Sequence, residues 1–182
     1  MDRESAIAFL LPAVSDAAGT WADFGAGRGT FTEALAAILG VDGRIVAVER
    51  DRRALASLER LRDRRVSGAA IEVAAGDFLK LDEIAELRDV VLDGALFANA
   101  LHYVPEPERV LTSVAQLVRP GGRIVVIEYD RARSNRWVPY PLPVDRLRDV
   151  AMKAGLGAPH VVSRRPSAYQ GAMYCAAAVH SA

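Results

Sequence analysis

Short apolar runs rich in β-branched and aromatic residues alternate with stretches of helical period along most of the chain. After a leading helix over about Ser5 to Ala17, "TWADF" reads as a first strand, and Phe31, Leu35, Ile38 and Leu39 then share one helical face until Gly40. Thr30 with Glu33 three residues on has the spacing of a capping box and marks the start of that helix. "RIVAVE" follows as a buried strand, and Asp51 caps a helix with Leu55, Leu58 and Leu61 on one side. "IEVAAGD" and "LDGALFANA" are a third and a fourth strand. A helix with Val110, Leu111, Val114, Leu117 and Val118 inward comes next, then "RPGG" as a turn and "RIVVIEY" as a fifth strand apolar on both faces. Strands alternating with helices predict a doubly wound α/β fold.

The last third breaks the alternation. Leu147, Val150, Ala151 and Ala154 form a final helix closed by Gly155, and "PHVVSRR" and "MYCAAAV" are then two strands joined by too short a link to hold a crossover helix. Such strands pair antiparallel.

Composition narrows the class. A chain of 182 residues with 51% apolar residues suits a single domain over 1–182. Lys plus Arg (23) balance Asp plus Glu (23), so no global field favours nucleic acid or an anionic membrane; Lys80 and Lys153 are the only lysines, and the remaining cations are arginine. The one cysteine, Cys175, excludes an intramolecular disulfide and a Cys-x-x-Cys metal cluster, and His102, His160 and His180 lack ligand spacing. Asp2 and Glu4 offset Arg3, and Pro12 interrupts the apolar run from Ala6 to Val14, so the N-terminus reads as an ordinary helix and the setting as cytoplasmic.

The chemistry gathers after the first strand. In "WADFGAGRGTFTEAL", Gly25, Gly27 and Gly29 remove Cβ atoms from the turn, which lets the backbone bend tightly and a ligand lie against it. The following helix aims free N–H groups at the same place, favouring an anionic group. Glu49 ends the second strand, where an acid accepts hydrogen bonds from ribose hydroxyls, so an adenosine-bearing ligand is implied. The plainer reading is a glycine-rich turn beside a solvent-facing acid. A dinucleotide fingerprint needs G-x-G-x-x-G, and its third-glycine place is Thr30 here.

Asp23-x-Gly25-x-Gly27-x-Gly29 resembles the first motif of the class I S-adenosylmethionine-dependent methyltransferases, and the likeness runs over about residues 20 to 180. "DGALFANALHYVPEP" is similar to that family's fourth-strand exit and "LVRPGGRIVVIE" to its fifth-strand turn. The resemblance implies a Rossmann-like seven-stranded sheet of order 3-2-1-4-5-7-6 with the last strand antiparallel. It also implies S-adenosylmethionine as cofactor, held by Asp23, Gly25, Ala26, Gly27, Gly29, Glu49, Arg50, Asp77, Phe78, Asn99 and Ala100. In that family the acid at Glu49 holds the ribose, Asp77 reaches the adenine with Phe78 beside the ring, and the Asn99 exit lines the methyl end. Tyr103 after His102 departs from the family pattern and suggests an individual substrate pocket.

Candidate bases are His102, Tyr103, Glu128 and Tyr140. His102 has a plainer reading as a residue packed on the next helix, and Glu128 as the partner of an arginine. The aperiodic loop 130–143 carries Trp137 and Tyr140 among three prolines and is expected, with Tyr103, to wall the acceptor site; its Arg131, Arg133 and Arg136 read as solvated. Residues 1–19 are expected to pack near the cofactor, and, since they are too few for a large cap, the expected partner is a small-molecule methyl acceptor rather than nucleic acid or membrane. A cofactor binder without catalysis, and more remotely an NAD-linked reductase, are the alternatives.

Overall fold

The computed structural model describes residues 1–14, 16–64, 68–167 and 171–181. In chain order the elements are α1 (Arg3–Val14), β1 (Thr20–Phe24), α2 (Thr30–Leu39), β2 (Arg44–Glu49), α3 (Arg52–Asp63), β3 (Ala70–Ala75), β4 (Leu92–Ala98), α4 (Pro107–Ala115), β5 (Val118–Asp130), α5 (Val144–Lys153), β6 (His160–Pro166) and β7 (Ala172–Val179). Single 3-10 turns lie at Leu81–Glu83, Ala85–Leu87 and Leu101–Tyr103.

The strands form one seven-stranded sheet of order β3-β2-β1-β4-β5-β7-β6. β7 runs antiparallel to both β5 and β6, and the other pairs are parallel. Because side chains alternate across a strand, each central strand feeds two cores. Ala22, Phe24, Val46, Phe97 and Val126 pack with α4 and α5, while Trp21, Ile45, Leu96, Val125 and Ile127 pack with α1 and α2. Trp21 pairs with Gly94 across β1 and β4, and a Cβ on Gly94 would lie 2.5 Å from the indole. That glycine is the space the tryptophan fills.

Local expectations change in four places. α1 stops at Val14 rather than Ala17. The N-cap of α2 is Gly29, at φ 89°, so Thr30 is one position too late for a capping box; Glu33 instead meets Arg3 at 3.4 Å. α4 ends at Ala115, and Val118 belongs to β5 opposite Leu92. "RPGG" is a bulge inside β5 rather than a turn before it: Gly121 adopts φ 77° and donates its N–H to the His180 carbonyl at 2.9 Å, while a Cβ on Gly122 would lie 2.7 Å from the Asp93 carbonyl oxygen. The left-handed backbone thus demands glycine at 121, and the Asp93 carbonyl demands it at 122.

Candidate cofactor pocket and active site

The carboxyl ends of the parallel strands open on a cavity of about 610 Å³, within the ~300–1,000 Å³ range of small-molecule sites. β1 enters it through Gly25 and Gly27, which adopt φ 73° and 57°, values that L side chains rarely take. The N–H groups of Gly25 and Ala26 both donate to the Val48 carbonyl, at 2.9 and 3.1 Å, folding the loop onto β2. The three glycines serve different ends. A Cβ on Gly25 would meet Ala100 Cβ at 2.9 Å, and one on Gly29 would meet Leu61 and Leu58 side chains at 2.8 and 3.0 Å, whereas one on Gly27 would meet nothing within 4 Å. Only Gly27 faces open space. Gly29 seats α2 against α3 and does not line the cavity.

Glu49 shapes this loop. Its Oε2 accepts the Gly27 N–H at 2.8 Å, and its Oε1 accepts those of Arg50 and Asp51 at 2.8 and 2.9 Å. Three main-chain donors therefore orient the carboxylate at the cavity wall. Next to β2, Arg50 reaches Asp77 at 2.8 Å, and Asp77 Oδ1 also accepts the Leu79 N–H at 3.0 Å. Phe78 stands edge-on to Phe97, with ring centroids 5.7 Å apart, and forms an apolar wall beside Ala100.

Deeper in the cavity the polar groups are unsatisfied. Asp23 is fully buried; Thr32 donates to its Oδ2 at 2.6 Å, but Oδ1 has no partner. Burial, opposed by the Thr32 bond and reinforced by the charge of Glu49, pushes this carboxyl up to about 7. On the neighbouring strand, Asn99 sits at φ 55° just past the end of β4, with its N–H bonded to the Ile127 carbonyl at 2.8 Å and its Oδ1 also without a partner. Buried acceptors are rarely left bare. Two in one cavity call for a ligand that brings donors.

The methyltransferase-domain sequence profile matches residues 22–126, more than half of the chain. This chain belongs to the class I S-adenosylmethionine-dependent methyltransferase family. A family relative in Streptomyces fradiae, described as an uncharacterized 37.1 kDa protein in transposon TN4556, is 32% identical over 108 residues, which are 59% of this chain and 29% of that protein. Among solved structures, the family fold is matched by a Thermotoga maritima S-adenosylmethionine-dependent methyltransferase, titled a possible histamine N-methyltransferase, with TM-score 0.70, 20% identity and coverage of 98% and 89% of the two chains. An arsenic(III) S-adenosylmethionine methyltransferase from Chlamydomonas reinhardtii matches with TM-score 0.69, 16% identity and coverage of 90% and 63%. The chain thus spans less than a third of the curated relative and under two thirds of the algal methyltransferase.

Of the family positions read from the sequence, Asp23, Gly25, Ala26, Gly27, Glu49, Arg50, Asp77, Phe78, Asn99 and Ala100 meet around the cavity, joined by Tyr103. The other candidates lie outside it. His102 is buried, its Nδ1 2.7 Å from Glu128 Oε2, while Glu128 Oε1 accepts the His102 N–H at 3.1 Å. Both ends of Glu128, itself fully buried, are thus spent on the turn that carries Asn99, Ala100 and Tyr103. Loop 130–143 docks on the same turn through the Tyr140 N–H and His102 carbonyl at 3.0 Å, and is closed by Tyr174 donating to the Leu142 carbonyl at 2.6 Å. Trp137 and Tyr140 remain 60% and 41% exposed and do not line the cavity. Arg136 lies over the Trp137 ring at 4.3 Å and Arg131 bonds the Arg133 carbonyl, so the loop arginines stay at the surface.

The sequence reading missed the far wall. Tyr129 is one residue before the end of β5, Met173 one after the start of β7, and Arg165 and Pro166 end β6; all line the cavity, as do Thr30 and Phe31. The antiparallel β6–β7 pairing was legible, but not that it brings Arg165 and Met173 to the ligand edge. No helix among the described residues is long and apolar enough to cross a membrane.

Proposed function

We propose that the chain is an S-adenosylmethionine-dependent methyltransferase that holds its cofactor in this cavity and methylates a small-molecule acceptor. The reading rests on one juxtaposition: two buried acceptors without partners, Asp23 Oδ1 and Asn99 Oδ1, beside the side-chain-free face at Gly27. A ligand carrying an ammonium group and a hydroxylated sugar supplies the donors those atoms lack. Asp23 and Asn99 then accept from the amino-acid end, while Glu49, with three N–H groups on about four lone-pair sites, keeps room for a ribose hydroxyl. Phe78 gives the adenine an apolar wall, and the Arg50–Asp77 pair closes that end.

When bound, S-adenosylmethionine supplies a methyl group already made electrophilic by its sulfonium. The chain's part is alignment and exclusion of water; such positioning accounts for ~7–11 kcal/mol of a barrier. Among the four candidate bases only Tyr103 lines the cavity, and it is half exposed; in this reading its phenol passes its own proton to solvent and then takes one from an oxygen or nitrogen acceptor. Glu128 and His102 act through it, by fixing the turn on which it stands. That the buried pair is consumed structurally also favours a second reading, a cofactor binder that does no chemistry.

Calorimetry with S-adenosylmethionine against NADH, followed by a screen for S-adenosylhomocysteine release over pooled small acceptors, tests both. Binding of S-adenosylmethionine alone, weakened more than about tenfold by Glu49→Gln as one charge-assisted bond worth ~1.5–3 kcal/mol is lost, is the expected result. NADH binding in its place overturns the proposal, and cofactor binding without product from any pool favours the binder.

A further inference from the structure

The cavity extends well past the positions assigned to the cofactor. It crosses the ends of β3, β2, β1, β4 and β5 in sheet order and continues to β7 and β6, because antiparallel β7 brings its first residues to the same edge. If adenosine lies over β3 and β2, as proposed above, the methyl end falls at Asn99 and the acceptor beyond it, over β5, β7 and β6. The cation at that end is Arg165. It is half-buried, paired in register with Met173, and its guanidinium lies 6.0 Å from the centre of the Phe9 ring. No carboxylate or other hydrogen-bond acceptor among the described residues engages it, although its neighbour Arg164 is bound to Asp130 and Arg50 at the opposite end is bound to Asp77. The cavity's carboxylates, Asp23, Glu49 and Asp77, all stand on the other side, on β1, β2 and beyond β3.

We propose that Arg165 is the specificity-determining residue of the acceptor site and that the acceptor carries an anionic group, a carboxylate or phosphate, seated on its guanidinium. An arginine fork matches the planar oxygens of a carboxylate and is less strongly hydrated than lysine, so holding it uncompensated in a cavity wall is the arrangement that selects an anion. The Phe9 ring lies under the guanidinium without neutralising it, leaving its N–H donors for the ligand. Tyr129, on β5, stands in sheet order between Asn99 and Arg165, and with Tyr103 on the same cavity wall it suits a flat acceptor body. The surface arginines of loop 130–143 lack this placement.

The inference rests on the cofactor reading, so the test measures the two separately. The full chain, wild type and Arg165→Gln, is saturated with S-adenosylhomocysteine and titrated with benzoate, phenyl phosphate and the neutral isostere benzamide, followed by ligand-observed NMR. Benzoate or phenyl phosphate is expected to bind about tenfold or more tightly than benzamide, Arg165→Gln to erase that preference, and Arg165→Lys to restore part of it, in line with a charge-assisted bidentate contact. S-adenosylhomocysteine affinity and melting temperature should stay within about twofold and ~2 °C of wild type, as for surface-facing substitutions. Benzamide binding as well as the anions, or anion binding unchanged in Arg165→Gln, overturns the inference while the cofactor reading stands. Failure of the wild type to bind S-adenosylhomocysteine overturns both.

Discussion

Gly27 and Gly29 are two residues apart, share a left-handed backbone, and should fail in opposite ways when given a methyl group. At Gly27, φ 57°, alanine incurs left-handed strain of ~1–2 kcal/mol, offset by ~0.4–1 kcal/mol from a less free unfolded chain, and meets no neighbour within 4 Å. The net cost is about 1 kcal/mol, a fall in Tm of ~2–4 °C for a chain of this size. At Gly29, φ 89°, the same strain is joined by contacts of 2.8 and 3.0 Å with Leu61 and Leu58. Overpacking of that kind adds ~1–3 kcal/mol, so the total is about 2–4 kcal/mol and Tm falls by ~4–16 °C. Binding should invert the order. The methyl of Gly27→Ala projects into the open space where the cofactor is proposed to lie, and should weaken S-adenosylmethionine at least about tenfold, or ~1.4 kcal/mol. Gly29→Ala, whose methyl points at α3, should leave the affinity within about threefold when measured well below its melting point, a change of ~0.7 kcal/mol. Scanning calorimetry and titration calorimetry on the two purified variants read both quantities. Wild-type affinity in Gly27→Ala would refute the placement of the ligand; equal stability losses would refute the assignment of the two glycines to different neighbours.

Asp23 makes stability and binding respond to pH in opposite directions. Its carboxyl is raised from 3.8 to about 7, so the unfolded chain loses this proton first, and the stabilisation fully present below the unfolded value is lost as pH rises from about 4 to 7, on the order of 4 kcal/mol. Denaturation midpoints of wild type minus Asp23→Asn should therefore fall across that window, while affinity for S-adenosylmethionine rises with pH in wild type alone; parallel curves for the two proteins would contradict it. Glu128→Ala leaves the His102 ring and main-chain N–H buried without partners and should cost ~2–5 kcal/mol in a urea titration, with Glu128→Gln milder because it keeps an acceptor. A loss below ~0.5 kcal/mol would mean that Glu128 does not hold the turn.

The alternation of strand and helix and the antiparallel close were legible in the chain, because each element's period, apolar face and link length are local properties; the sheet order was available only through the resemblance to the methyltransferase family. So was most of the cavity wall: Asp23, Gly27, Glu49, Asp77 and Asn99 each lie near or just past the carboxyl end of a parallel strand, and a parallel sheet sends all such ends to one edge. Packing decided what each residue does there. Three equally spaced glycines look alike in sequence, yet one opens on empty space, one clears Ala100 and one clears two leucines of α3. Thr30 carries the cap pattern, but the cap falls on Gly29, and it is Thr32 that turns to Asp23. His102 and Glu128 read as reactive groups until burial joins them to each other. The proposed acceptor end depended wholly on the tertiary fold, since Arg165 is brought within one cavity of Asp23 only by inserting β7 against β5. A residue's neighbours in sequence set its conformation; what it can bind is set by groups from distant segments, and their approach is fixed by strand order and register.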